Sequence, residues 1–136
     1  QPSYLSCEYI MSKYGLLTEA VYGITSMATK TTKTFINSLG SFTYYSLSPA
    51  LFLGYEVKKI SSFSVAVAQK SKAVFDFLYL RFIKQTPVNK KAIEELRINW
   101  ENMTKEEFRE LAQYGRKTKS VRLNQAINII RETYAS

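Results

Sequence analysis

Among the side chains that most often do chemistry, this sequence has no histidine, a single cysteine, Cys7, and a single aspartate, Asp76. Zinc chemistry of the His/Cys type therefore has no ligand set. A nucleophilic thiol at Cys7 would lack a histidine to act as its base. The triplet Glu56-Val57-Lys58 has the form of the E-x-K half of a metal-dependent nuclease site, but that chemistry needs a further carboxylate upstream to hold Mg²⁺. Only Glu8 and Glu19 precede it, and neither stands in a strand context that would supply one. The plainer reading is an edge-strand glutamate and lysine facing water. Five scattered glycines form no phosphate loop. The expectation is a protein with no catalytic residues, no metal and no cofactor.

Binding chemistry is better represented. The segment "GRKTKSVR" brings Arg116, Lys117, Lys119 and Arg122 to the start of the last helix, where they could hold phosphates through charge and counterion release. The same residues also suit a solvated helix start. Lys30 and Lys33 lie in "YGITSMATKTTKTF", a threonine-rich segment; lysines on an exposed strand deter edge-to-edge aggregation as well as they would bind an anion. The net charge is +8, unevenly spread: residues 1–68 carry five basic and three acidic side chains, and residues 69–136 carry 14 and eight. A polyanion would be felt most by the second half.

These residues must be positioned by a fold. At 136 residues the chain suits one domain, residues 1–136, and its 46% hydrophobic and 14% aromatic content is enough to bury a core. One cysteine allows no internal disulfide, which fits a reducing compartment. The run "AVFDFLYLRFI" is broken by Asp76 and Arg81 and falls short of the roughly 20 residues that span a bilayer. No charged leader with a small-residue cleavage site opens the chain. The expected location is the cytoplasm, with no membrane partner.

The first half, strand-rich over 18–68, is expected to form a small, mostly antiparallel sheet. A short helix from Ser3 to Gly15 precedes it, with Leu5, Tyr9 and Ile10 at helical spacing. "NSLGS" supplies a hairpin reversal, and strands are expected at Phe52–Lys58 and Phe63–Val67. From Gln69 the chain reads as about four helices, near 70–83, 89–100, 104–114 and 119–134. Thr104 with Glu107 makes a capping box. Phe75, Leu78, Tyr79 and Phe82, with Val74 and Phe77 on other faces, predict a central helix, and the stripe Leu123, Ile127, Ile130, Tyr134 predicts core contact. The fold class is α+β, with helices on one face of the sheet.

Three stretches carry a resemblance. "PSYLSCEYIMSKYGLLTEAVYGITSMATKTTKTF" has a Tyr-hydrophobic-Ser start, a Tyr-Gly-Leu turn, a Glu-x-Val step and a Thr-rich strand. "GSFTYYSLSPALFLGY" follows with a Phe-x-Gly-Tyr end. "AVAQKSKAVFDFLYLR" then matches a segment written around Ala-x-Pro-Glu-Lys-Ala-hydrophobic-hydrophobic-Asp. In order and spacing, over residues 2–81, the chain resembles the AbiEi-type antitoxins, transcriptional regulators of viral defence systems. Lys70 and Ser71 depart from it, standing where that family commonly has Pro and Glu. Members usually carry an N-terminal winged helix-turn-helix that binds the operator, and the match here begins where that module would end.

The resemblance implies an antitoxin domain of a type IV toxin–antitoxin, abortive-infection system. Such a domain opposes a nucleotidyltransferase toxin without a stable complex and, in full-length form, contributes to repression of its own operon. It also implies that Lys30, Lys33, Arg116, Lys117, Lys119 and Arg122 would engage nucleic acid or an acidic partner. A stand-alone basic nucleic-acid-binding module with no toxin partner is the competing expectation.

Overall fold

The computed structural model describes residues 3–29, 33–37, 40–60, 62–84 and 87–135, with the backbone alone at 33, 35, 37 and 60. Among these residues six strands form one sheet: β1 (Ser3–Ser6), β2 (Gly23–Ala28), β3 (Lys33–Asn37), β4 (Gly40–Ser46), β5 (Tyr55–Ile60) and β6 (Phe63–Ala68). Among the described residues five α-helices accompany it: α1 (Cys7–Lys13), α2 (Lys70–Phe82), α3 (Lys90–Glu94), α4 (Lys105–Arg116) and α5 (Val121–Tyr134). The α+β class holds. In the order β3-β4-β2-β1-β6-β5 the sheet is mixed. Three ladders are antiparallel, and β1–β6 and β2–β4 are parallel.

The opening segment corrects the expectation of a helix from Ser3. Tyr4 and Ser6 alternate inward as strand residues, and β1 sits between β2 and β6. Two flanking ladders outweigh the helical spacing of Leu5 with Tyr9, and the helix starts only at Cys7. Cys7 makes the strand-to-helix corner with φ 58°, a left-handed conformation costly for a residue with a Cβ. Gly15, at φ 71°, ends the helical segment as the Tyr-Gly-Leu turn suggests.

Two other expectations shift. The strand expected at Phe52–Lys58 runs from Tyr55 to Ile60, because Pro49–Leu51 forms a 3-10 turn and Gly54, at φ 74°, bends the chain into the strand. The helix expected over 89–100 stops at Glu94. Beyond it Ile98 bridges Leu17, the Asn99 amide donates to the Leu16 carbonyl at 2.8 Å, and Trp100 enters the core beside Phe108 and Tyr134. Arg97, at φ 54°, turns the chain out of the helix; Ile98 and Trp100 are then buried, the first in its bridge to Leu17 and the second at the start of a short 3-10 turn. The hairpin reversal between β3 and β4 falls at 38–39, outside the described residues.

The helices cover one face of the sheet around α2, which contacts α1, α4, α5 and β1. Nine of its 13 residues are buried, among them Phe75, Leu78 and Phe82. It is therefore the axis of the core, as its nearly all-round apolar sequence predicts. Leu123, Ile127 and Ile130 of α5 are buried against it, and Tyr134 is half-buried. The capping box of α4 is present: the Glu107 amide donates to Thr104 Oγ1 at 3.1 Å and the Thr104 amide to Glu107 Oε1 at 2.8 Å.

Candidate functional site

Among the described residues the two buried charged side chains, Lys72 and Asp76, lie where β1 meets α2. Asp76 is fully buried and accepts hydrogen bonds from Tyr4 Oη and Ser6 Oγ, each at 2.7 Å on Oδ2, and from Lys72 Nζ at 2.6 Å on Oδ1. Lys72, also fully buried, donates a second bond to Tyr4 Oη at 2.7 Å. Its ammonium lies over the rings of Tyr4, Phe75 and Tyr114. Phe52 and Tyr55 pack on the Tyr4 ring at 5.1 and 5.0 Å. Gly54 comes so close that an added Cβ would stand 2.8 Å from Lys72 Cγ and 2.7 Å from Tyr114 Oη.

Burial governs the titration of this knot. It pushes the Tyr4 phenol well above its ordinary value, with the neighbouring Asp76 charge adding to the effect. It raises the Cys7 thiol in the same way, so Cys7 stays protonated and is a poor nucleophile. It raises Asp76 and lowers Lys72, and the ion pair with its hydrogen bonds opposes both shifts. The donors and acceptors are matched and the residues are inaccessible, so the knot tethers β1 to α2. Nothing about it suits turnover of a substrate.

The basic residues of "GRKTKSVR" occupy the loop between α4 and α5 and its two helix ends. Asn124 holds that loop: its Nδ2 donates to the carbonyls of Gly115 at 3.0 Å and Ser120 at 2.8 Å. Thr118 Oγ1 donates to the Gly115 carbonyl at 2.8 Å, and Ser120 Oγ caps α5 by accepting from the Leu123 amide. Gly115 is required by close approach, since a Cβ there would meet Asn124 Oδ1 at 2.7 Å and Ile127 Cδ1 at 2.8 Å. Arg116, Lys117 and Lys119 are exposed on this fixed backbone. Arg122 turns toward the end of α2, where its Nε donates to the Lys84 carbonyl at 3.1 Å and its Nη2 is buried without a partner.

Lys84, exposed just beyond α2, thus joins this basic region. Nothing in the local sequence marks it, because the two segments are 38 residues apart and meet only through the fold. Lys30 lies outside the described residues, as does the side chain of Lys33, whose backbone pairs with Tyr44 on the edge strand β3. No described contact joins β3 to the 116–122 loop: β4 and β2 separate β3 from β1, whereas the loop sits at the end of α2.

No family model, curated protein or solved structure matches the chain.

Two features remain. Glu56 and Lys58 form an ion pair at 3.4 Å on β5, and among the described residues no cluster of three or more acidic, cysteine or histidine side chains could hold a metal beside them. An open groove of about 730 Å³ separates α1, the start of β2 and the end of α2. In it Arg81 lies over the Phe77 ring at 5.4 Å and Arg97 pairs with Glu19 at 3.2 Å, with Glu8 and Glu95 nearby. Its charges are of both signs, so it has no net preference for an anion. No helix among the described residues is long and apolar enough to cross a membrane.

Proposed function

We propose that the chain is an antitoxin domain of the AbiEi type, belonging to a type IV toxin–antitoxin, abortive-infection phage-defence system. It would work in the cytoplasm against a nucleotidyltransferase toxin with no stable complex required and, in full-length form, contribute to repression of its operon.

One observation supports the reading. The motif residues of the three stretches, Tyr4 and Ser6 from the first, Phe52, Gly54 and Tyr55 from the second, Lys72 and Asp76 from the third, lie apart along the chain and meet around one buried knot. Lys70 and Ser71, the departures from the pattern, find partners in α4 instead: Lys70 pairs with Glu107 at 3.0 Å, and Ser71 Oγ donates to Glu110 at 2.9 Å. The test is co-expression of the full-length protein with the nucleotidyltransferase encoded beside it. Restored growth is the expected result, and continued toxicity at matched expression removes the proposal.

The pinned basic loop favours a second reading, a nucleic-acid-binding regulatory module with no toxin. Three exposed cations on a fixed backbone suit phosphate contact, which positions a protein without reading bases. Duplex binding that weakens steeply with salt, together with a harmless neighbouring gene, would favour it over the antitoxin.

A further inference from the structure

β5 is the last strand in the sheet order, so among the described residues its outer edge pairs with no strand. It is also uncovered: Tyr55, Glu56, Val57, Lys58 and Lys59 are all exposed, with Val57 at 65%. Open edges of this kind are usually defended by lysine, and two lysines alone would repel a second copy of the strand. Glu56 changes that arithmetic. Two antiparallel copies related by a two-fold axis can only pair in registers centred on a residue, because the axis must keep each side chain on its own face of the sheet.

Three registers are available near the middle of the strand. Centring on Glu56 sets carboxylate against carboxylate, and centring on Lys58 sets ammonium against ammonium; both are destabilising. Centring on Val57 places Val57 opposite Val57, Glu56 opposite Lys58 and Tyr55 opposite Lys59. Glu56 and Lys58 already pair within one chain, at 3.4 Å with about half of each side chain exposed, so the two copies together form a ring of four alternating charges. Tyr55 and Lys59 share the other face, the one toward the helices, where Tyr55 stacks on Tyr4 and would offer its ring to the partner's ammonium.

We infer that β5 is a self-complementary edge, and that two copies of this chain join there in antiparallel register about Val57, continuing the six-stranded sheet into a second copy. Backbone hydrogen bonds supply the attraction, as in other cases of strand addition, and the charges choose the register. Six residues form a small contact beside a standard interface of about 1,600 Å², so the association is weak and depends on concentration.

Sedimentation velocity over a concentration series tests this. Wild type is expected to show a monomer–dimer equilibrium. Glu56→Lys and Lys58→Glu each turn two attractive pairs into two repulsive ones and should weaken the dimer about tenfold to a hundredfold. An equal mixture of the two reversed proteins should regain a one-to-one dimer, since lysines at 56 and 58 of one copy then face glutamates of the other. The double reversal Glu56→Lys/Lys58→Glu should dimerise like wild type. Both sites are half-exposed, and matching circular dichroism checks that the fold is kept. A wild type that stays monomeric at its highest soluble concentration overturns the inference. So does a dimer indifferent to both reversals, or a mixture that stays monomeric.

Discussion

Around Lys72 the charged and polar groups are buried and bonded to one another, whereas at Arg116, Lys117 and Lys119 the cationic ends stand exposed above a backbone that Asn124 holds. Both regions are ordered, and by opposite means. In the knot the side chains are themselves the fastening: removing one leaves its partner stranded in a medium that cannot solvate it. In the loop the fastening is done by Asn124, Thr118 and Ser120, and the lysines and arginine contribute no bond to it. A charged residue that holds the fold and one that is held by it differ in what a substitution should do.

The largest effects should come from breaking the knot on one side. Lys72→Ala or Asp76→Ala leaves an unpaired buried charge and should cost about 3–5 kcal/mol in urea unfolding. Lys72→Met with Asp76→Leu, combined with Tyr4→Phe and Ser6→Ala so that no buried hydroxyl is left without its partner, should recover most of that loss. Single variants as stable as wild type would mean the knot is not the tether described above. Leu78→Ala, in the apolar part of the same helix, should cost about 2–5 kcal/mol and lower Tm by many degrees. A thermal scan showing almost no change would place Leu78 outside the core.

Tyr4→Phe keeps the ring and removes one hydroxyl, leaving Asp76 and Lys72 each short of a partner. The cost at neutral pH should be about 1–3 kcal/mol. Its pH dependence has a definite sign. The folded chain holds the Tyr4 proton well above the ordinary phenol value, while the unfolded chain releases it near about pH 10. The stability that depends on the protonated phenol is complete below that point and falls as pH rises beyond it. Cys7 acts in the same sense from its own ordinary value upward, and Lys72, lowered by burial, acts in the opposite sense. The informative quantity is therefore a difference: above about pH 10, wild type should lose stability faster than Tyr4→Phe. Equal alkaline slopes would separate Tyr4 from the titration.

The smallest effect on stability is expected at the loop. Lys117→Ala with Lys119→Ala should leave Tm unchanged, because both ends are exposed and neither takes part in the hydrogen bonds that fix the backbone. If the loop contacts phosphates, the same pair should reduce the slope of log affinity against log salt on duplex DNA by about 2, read by fluorescence anisotropy at several salt concentrations. An unchanged slope would leave these lysines as plain surface.

The contrast also explains what the sequence made legible. The helix 70–83 could be read because apolar residues on every face admit only a central position, and the α4 cap because its two partners are three residues apart. β1 is not legible as a strand because its four residues carry no decisive local signal; two ladders and the knot, all formed with distant residues, determine it. The knot had one visible trace, Lys72 and Asp76 four apart inside an apolar run, a spacing equally at home on a solvated helix face. Only the strand crossing above it makes the pair buried. The basic loop was visible as composition, but Lys84 was not, since it arrives from the far end of another helix.

The position of β1 inside the sheet bears on how the chain assembles during synthesis. β2 can pair with it early, but its other edge waits for β6, and Tyr4 and Ser6 wait for Asp76, about 70 residues later. At the usual pace of translation, about 5–20 residues per second, that wait lasts about 4–14 s. Until then one side of a central strand lies open to whatever else can pair with it. A factor that shields nascent chains would have its greatest effect on this protein in that interval.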